Sequence, residues 1–458
     1  MKIKSMYLEN FRCFNNLNVN FSEQLTVITG ECSTGKTSLL DGIAVGLGSL
    51  FLGFDGVNSR NIRSDDVRIQ KVLGNPNRML DQQYPVTVSC TGSFNSEEDV
   101  TWSRTLLDKD SRTTRKEASN IIEYANQLQR KVEENEATLL PLIAYYGSRR
   151  TTSFSTNDVP NVRSIGYVNC LSPILNSKFF TNWLWDLKVI TQKTGEKPSE
   201  LFKLEEILKT CFQGVFMEEV EEVTQGFEID YCDENDEVLV TLGDGRILPF
   251  RMLSEGYKRI IGILADIAFR ISVLNPQLQE KSFSEVTGVV LIDEIDLHLH
   301  PKYQRKIIEF LRSTFPNIQF IVTTNSPFII QSIQSGELRI LNEKLNKNNN
   351  NIIQYGEITN NRFFVAVPDY VDKSIEDITE NILGINLPQW SERKNKMYLA
   401  AESYFKLLKE MEHSSQEQLN EYKQKLDELS KPYIDNVAYY AFLNQNRLRV
   451  EGNRREKE

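Results

Sequence analysis

The stretch GECSTGKT, from Gly30 to Thr37, combines small residues with one lysine and one hydroxyl group at a fixed spacing. Its glycines allow backbone N–H groups to turn inward around phosphate oxygens, while Lys36 can reach the outer phosphates and Thr37 can ligate Mg²⁺. The same spacing also occurs by chance, so a second element of the same chemistry is needed. The residues predicted to hold the phosphates and the metal are Gly30, Ser33, Thr34, Gly35, Lys36, Thr37 and Ser38.

The second element is GVVLIDEIDLHLHP, residues 288–301, in which two carboxylates follow an apolar run. Asp293 is predicted to hold the shell of the same Mg²⁺, and Glu294 to polarise the water that attacks the terminal phosphate. Two carboxylates at the end of a strand can also be a capped turn, but that interpretation weakens when a phosphate loop is present. The sequence therefore predicts Thr37 and Asp293 as metal ligands and Glu294 as a catalytic residue.

Between these two motifs, MLSEGYKRIIGILADIAFR contains Ser254 and Gly256 immediately before an apolar helical pattern. A serine and the first free N–H groups of a helix attract anions because they lie at the positive end of the helix dipole. We therefore predict a second anion-binding position at Ser254 and Gly256.

An α/β scaffold is needed to position these residues. QLTVITG followed by KTSLLDGIAVGLGSL predicts a buried strand, a loop and a helix, the order that a phosphate loop requires. Residues 85–107 predict an antiparallel hairpin, residues 118–137 a helix, and TLLPLIAYY another buried strand. The residues from about 151 to 228 are mostly helical in pattern, and a charged, helical tail begins near residue 369.

Composition limits the class of protein. The 458 residues are 40% hydrophobic and 25% charged, which is typical of a globular chain, and the net charge of −10 offers no general attraction for nucleic acid. Six scattered cysteines without a CxxC pair and three histidines argue against a disulfide framework or a zinc site. Without a signal-peptide pattern or a long apolar run, a cytoplasmic location is expected.

With the three motifs in place, the chain resembles the ABC-type ATPases of the SMC, RecF and OLD kind, whose signature reads L-S-x-G-x-x. The resemblance implies Mg²⁺ and ATP as cofactors, and a head-to-head dimer in which Ser254 and Gly256 serve the γ-phosphate bound by the opposite subunit. It also implies that Arg12, in YLENFRCF, lies near the phosphates and that Asp296 lies at the dimer seam. A glutamine loop is expected near YYGSRR, but no residue is assigned to it.

The resemblance defines the fold class as an α/β, P-loop ABC-type ATPase head with an antiparallel β subdomain, a helical insertion and a helical C-terminal domain. We predict an N-terminal ATPase lobe at residues 1–150 and a mainly helical insertion, ending in a β-hairpin, at 151–250. The C-terminal ATPase lobe is predicted at 251–365. A helical domain that binds a partner is predicted at 366–458.

One position departs from the ABC pattern. In VTTNSPFI, Asn325 stands where many ATPases of this class have a histidine that bonds the γ-phosphate and the attacking water. Asparagine keeps a donor but has no titratable nitrogen, so Asn325 is predicted as a catalytic residue that senses the phosphate and supports only slow hydrolysis. Alternatively, Asn325 simply caps the turn before Ser326 and Pro327.

A narrower resemblance is to the ATPases of Septu and retron anti-phage systems, carried by LIAYYGSRR, LIDEIDLHLHPKYQRKIIEFLRSTFPNIQFIVTTNSPFIIQS and DKSIEDITENILGI. It implies a defence complex in which the ATPase scaffolds and regulates a separate HNH endonuclease, with a retron reverse transcriptase and its msDNA as further partners. No D-x-D motif follows residue 341, and His413 alone cannot make a His-Asn-His site, so no nuclease site is predicted in this chain.

Two other functions remain open at this stage. A RecF-like repair ATPase would bind DNA directly and would show salt-sensitive binding through a local basic stripe. A nucleotide-bound scaffold would hold ATP without turning it over.

Overall fold

The structure is a computed structural model, and it describes most of the chain. The described residues are 1–71, 80–94, 98–147, 163–173, 177–216, 228–232, 237–241, 245–278, 282–342, 363–366, 373–385, 388–412, 414 and 418–455. They form two compact units, Met1–Ile378 and Thr379–Glu458.

The core of the first unit is a six-stranded sheet with the strand order β15-β14-β3-β13-β12-β8. All neighbouring pairs are parallel except the edge pair β14 and β15. The central strands are continuous apolar runs because helices and a second sheet cover both faces of a parallel sheet. The six strands are β3 (Leu25–Thr29), β8 (Leu142–Tyr146), β12 (Gly288–Ile292), β13 (Ile318–Thr323), β14 (Leu338–Asn342) and β15 (Phe363–Ala366).

A four-stranded antiparallel sheet, ordered β2-β1-β6-β7, forms the β subdomain. Its strands alternate buried and exposed residues, as expected for a sheet with one face in the core, and β6 and β7 are the hairpin predicted from the sequence. The shorter antiparallel strands form two separate sheets, a two-stranded sheet of β4 and β5 and a three-stranded sheet ordered β11-β10-β9. The strands are β1 (Lys2–Phe11), β2 (Phe14–Asn20), β4 (Ile69–Lys71), β5 (Leu80–Gln82), β6 (Val86–Ser93), β7 (Val100–Leu106), β9 (Glu228–Cys232), β10 (Glu237–Thr241) and β11 (Ile247–Pro249).

The helix that follows the phosphate loop packs tightly on the β subdomain. A side chain at Gly42 would clash with Leu8, and one at Gly46 would lie 2.3 Å from the Cys90 sulfur. Trp102 donates from Nε1 to the Gly46 carbonyl at 2.9 Å, so the close approach is also hydrogen-bonded. The helices of this unit are α1 (Lys36–Gly48), α2 (Ser119–Glu133), α3 (Ser177–Thr194), α4 (Ser199–Cys211), α5 (Glu255–Leu274), α6 (Pro301–Thr314) and α7 (Pro327–Gln331), and α8 (Ile375–Asn381) spans the boundary.

The second unit is helical, as the tail pattern predicted. It contains α9 (Glu392–Glu412), α10 (Leu419–Ser430) and α11 (Val437–Arg455). Its core is a small cluster of five buried side chains, namely Tyr404, Leu408, Met411, Leu426 and Leu443. The unit begins at Thr379, whereas the sequence interpretation began the helical domain at residue 366. Residue 366 is the last residue of strand β15, which pairs with β14 and so belongs to the first unit.

In the part of the chain that the structure describes, no helix combines the length and the apolar character needed to cross a lipid bilayer. The asparagine run and His413 lie outside the described residues, and so do residues 148–150 of YYGSRR.

Candidate nucleotide-binding site

The phosphate loop connects β3 to α1, and its shape depends on glycine. Gly35 has a φ of 105°, a backbone conformation that other residues adopt only with strain. A Cβ at Gly35 would also lie 2.4 Å from the Cys13 sulfur. The Lys36 ammonium donates to the carbonyls of Gly30 at 2.7 Å and Glu31 at 3.1 Å, so it lies across the loop. Burial lowers the pKa of this ammonium.

The other predicted loop residues differ in exposure. Ser33 is exposed and has a φ of 70°, and Ser38 is half-buried on the first turn of α1. Thr34 is buried and donates from its hydroxyl to the Glu31 carbonyl at 2.9 Å. Thr34 therefore shapes the loop, whereas Ser33 and Ser38 leave polar groups on its accessible side.

Thr37 and Asp293 are 256 residues apart in the sequence and are in direct contact in the fold. The Thr37 hydroxyl donates to Oδ2 of Asp293 at 2.8 Å. Thr323, at the end of β13, donates to Oδ1 of the same carboxylate at 2.6 Å and accepts the Glu294 N–H at 2.8 Å. A hydroxyl and a carboxylate at this spacing supply two hard oxygen ligands, the donor type that Mg²⁺ prefers, so the residues fit the metal.

Glu294 follows Asp293 in a left-handed backbone conformation, with a φ of 51°. Such a conformation is uncommon outside glycine and asparagine, and it is often found where a functional side chain must be aimed. The Glu294 side chain is half-buried, whereas Asp293 is only 2% exposed. The buried carboxylate is therefore fixed by its hydrogen bonds, and the neighbouring one is accessible to water.

The turn after β13 corrects one sequence interpretation. Ser326, and not Asn325, caps the short helix α7, because its hydroxyl accepts the N–H groups of Phe328 and Ile329. Asn325 is exposed, and the side chain that accepts the Ser326 N–H at this turn is that of Thr324. Thr324 donates to Oδ1 of Asp296 at 2.5 Å, which ties the predicted seam residue to this turn.

The predicted anion position lies at the start of α5. Ser254 is exposed and caps the helix, and its hydroxyl accepts the Tyr257 N–H at 3.4 Å. Gly256 is buried, and a Cβ there would lie 2.4 Å from the His298 carbonyl oxygen. Glycine is thus required for close packing of α5 against the segment that follows Asp296.

The two nearby histidines do not indicate a metal site. His300 accepts the Lys302 N–H at 3.3 Å and caps α6, and His298 is exposed with a φ of 63°. Among the described residues, no group of three or more histidine, cysteine or carboxylate side chains has the arrangement of a metal centre.

Comparisons with known proteins agree with this geometry. Residues 5–228 match the AAA_23 family model, which describes an AAA domain. A retron Vc95 probable ATPase of Vibrio cholerae is 27% identical over 393 residues, covering 75% of this chain and 74% of the relative. A Septu protein PtuA of Bacillus thuringiensis is 24% identical over 448 residues, covering 94% of each chain.

The chain is therefore similar to ATPases, and residues 5–228 are similar to an AAA domain. Among solved structures, it is similar to an SMC head domain from Thermotoga maritima, with 14% identity and a TM-score of 0.42, covering 81% of this chain and 100% of that one.

Arg12 lies at the edge of the candidate site, but its guanidinium is already paired. It donates to Asp66 at 2.9 Å from Nε and also bonds Asp41, and Arg60 lies 3.0 Å from the second oxygen of Asp41. Burial alone would lower the pKa of Arg12, but these carboxylates raise it above its usual value. Arg12 lines the same cavity as Thr37 and Asp293, so in this structure it holds the wall of the site together.

The sequence interpretation missed Arg259, a buried residue on the second turn of α5. Its guanidinium donates to the carbonyls of Asp293 at 2.5 Å, Glu294 at 3.3 Å and Gly147 at 3.2 Å. It therefore connects the helix that begins at Ser254 to the backbone that carries both carboxylates. The sequence signal was an arginine within a largely apolar helix, which does not identify its partners.

Proposed function

We propose that this ATPase binds Mg²⁺ and ATP in the site between the phosphate loop and β12. The observation that carries this proposal is the hydrogen bond between Thr37 and Asp293, because it brings together the two side chains that this chemistry needs as metal ligands. Thr37 and Asp293 would hold the metal, and a bound Mg²⁺ would supply positive charge that neutralises the phosphates. The phosphates would be held by the residues predicted from the loop, namely Gly30, Ser33, Thr34, Gly35, Lys36 and Ser38.

Glu294 is the group we propose to polarise the attacking water, and its accessible side chain next to the buried Asp293 supports this role. Asn325, exposed at the end of the neighbouring strand, would donate a hydrogen bond to the γ-phosphate. Its amide has no titratable nitrogen and cannot act as a general acid or base. We therefore expect slow hydrolysis, below the roughly 1 to 10³ per second of ordinary enzymes.

Two chains would enclose the nucleotides. Ser254 is exposed at the positive end of the 20-residue helix α5, where an anion would be stabilised. In this proposal the phosphate loop of the same chain holds that chain's own nucleotide, so the position at Ser254 is left for the nucleotide of another copy. Gly256 packs against the segment after Asp296, so Ser254 and Asp296 lie on connected parts of the chain. We assign Ser254, Gly256 and Asp296 to the contact with the nucleotide of a second copy.

The role in the cell would be that of an anti-phage defence ATPase, supported by the similarity to a retron ATPase and to Septu PtuA. In this proposal the chain scaffolds and regulates an HNH endonuclease, and a retron reverse transcriptase with its msDNA is a further possible partner. Purification of the complex from its own operon tests this, because a co-eluting nuclease supports the proposal and an ATPase that elutes alone contradicts it.

A scaffold that holds ATP without turnover is the second candidate, and the exposed amide at Asn325 is the observation that favours it. A RecF-like function requires autonomous DNA binding, which the net charge of −10 does not favour.

Asp293→Asn tests the metal site directly. We expect the variant to lose at least tenfold in Mg²⁺-dependent affinity for ATP, while binding in excess chelator stays close to that of the native chain. Asp186→Asn removes a carboxylate from the exposed face of α3 and is the matched control. Equal Mg²⁺ dependence in the native chain and Asp293→Asn would contradict the assignment.

A further inference from the structure

A polar cavity of about 460 Å³ adjoins the Thr37 and Asp293 pair. Its walls come from α1, from the end of β8, and from residues 58–65 and 167–173. Among its lining residues, three arginines stand against three aspartates, namely Arg12, Arg60, Arg63, Asp41, Asp65 and Asp293. Because these charges balance, the cavity does not favour a separate anion.

Tyr145 is the residue of this wall whose chemistry is unexplained. It is 2% exposed, and its hydroxyl has no hydrogen-bond partner among the described residues. The next residue, Tyr146, donates from its hydroxyl to Asp266 of α5 at 2.7 Å. Successive residues of a strand point to opposite faces of the sheet, so of these two tyrosines only Tyr145 lines the cavity.

Buried hydroxyl groups almost always have a hydrogen-bond partner, so a partner is expected for Tyr145. The cavity that Tyr145 lines is also lined by the proposed metal ligands Thr37 and Asp293. Mg²⁺ keeps several water molecules in its shell even when it binds protein carboxylates and phosphates. Among the described residues that line the cavity there is no glutamine, and Gly147 beyond β8 has no side chain to offer.

We propose that the Tyr145 hydroxyl binds a water molecule of the Mg²⁺ shell and thereby positions the metal between Thr37 and Asp293. Tyr145 is then a positioning residue, since it acts on the nucleotide through the metal-bound water. This inference rests on the proposed binding of Mg²⁺ and ATP.

The chemistry of the phenol suits this task. A water molecule on Mg²⁺ is a strong hydrogen-bond donor, and the phenol oxygen can accept from it. Burial and the nearby Asp41 and Asp293 raise the pKa of Tyr145, so the group stays protonated and neutral. Its own proton remains available for a second water in the cavity. Outer partners of this kind commonly change metal affinity by 10- to 100-fold when they are removed.

Tyr145→Phe removes only the hydroxyl, and Tyr146→Phe is its matched control on the opposite face. Each variant is saturated with a non-hydrolysable ATP analogue and titrated with Mg²⁺ by calorimetry, and the melting temperature is recorded without nucleotide. We expect about tenfold weaker Mg²⁺ binding for Tyr145→Phe, with unchanged analogue affinity in chelator and an unchanged melting temperature. Tyr146→Phe should lower the melting temperature and leave Mg²⁺ affinity unchanged.

The outcomes separate the two proposals. If analogue binding by the native chain does not depend on Mg²⁺, the proposed function fails. If the native chain shows that dependence and Tyr145→Phe keeps its Mg²⁺ affinity within twofold, the inference about Tyr145 fails alone. A Tyr145→Phe variant that melts earlier and loses analogue affinity equally with and without Mg²⁺ would show a structural role and would also overturn the inference.

Discussion

Asn325 and Glu294 are the two residues that we propose limit the rate of ATP hydrolysis at this site. They follow neighbouring strands, β13 and β12, and the Glu294 N–H is tied to Thr323 at the end of β13. Glu294 can polarise a water molecule, while Asn325 can orient the phosphate but cannot pass a proton. We therefore propose that the amide at position 325 limits catalysis.

Asn325→His restores a titratable nitrogen at an exposed position, so folding should not change. We expect steady-state phosphate release to rise about tenfold or more, because a positioned general base contributes on that scale. Glu294→Gln should reduce phosphate release to background while ATP binding persists. Brisk turnover by the native chain, together with an equal or lower rate for Asn325→His, would contradict this assignment.

Helix α5 links the proposed dimer surface to the two carboxylates that we propose bind the metal and polarise the water. Ser254 stands at its start, and Arg259 one turn later holds the carbonyls of Asp293, Glu294 and Gly147. A buried guanidinium that satisfies several carbonyls fixes their relative positions. A movement of α5 on contact with a second copy would therefore reach β12 and the end of β8 directly.

Arg259→Lys keeps the charge but removes the planar fork that reaches several carbonyls at once. We expect a destabilisation of about 2 kcal/mol, from carbonyls left without a donor, and a loss of ATP turnover. Lys258→Arg, on the same turn of the helix, is the control and should be neutral. Melting temperature and phosphate release are the measurements, and native values of both for Arg259→Lys would show that the clamp has no role.

The residues of the phosphate loop and β12 were predictable because each motif is local, with its spacing set by one strand and one turn. Arg259 and Tyr145 were not, because their roles depend on partners far along the chain, such as Gly147 for Arg259. The sequence also did not reveal that Arg12 pairs with Asp66, which is 54 residues away. The prediction that Arg12 lies beside the phosphates therefore did not include its ion pairs. Ser326 and Asn325 are adjacent polar residues, and only the backbone geometry identifies the cap.

For the whole molecule, we propose that this chain binds ATP and that a separate nuclease cleaves nucleic acid. The described residues contain no metal-binding cluster of three or more histidine, cysteine or carboxylate side chains. We expect the purified chain to leave DNA and RNA uncut with Mg²⁺ or Mn²⁺, because two-metal cleavage needs such a cluster. Cleavage that co-purifies with the chain and survives substitution of both Asp293 and Glu294 would contradict this expectation.

We propose that ATP joins two copies of the chain through Ser254, and the mass of the assembly in solution tests this. Glu294→Gln chains, which retain ATP, are measured by light scattering with and without Mg²⁺ and ATP, alone or combined with Ser254→Arg. Ser199→Arg, at the exposed start of α4, is the matched control. We expect ATP to double the mass, from 52.9 kDa if the free chain is a monomer. Of the two arginine variants, only Ser254→Arg should prevent this doubling while still binding ATP. An unchanged mass with ATP bound, or equal assembly by both arginine variants, would contradict it.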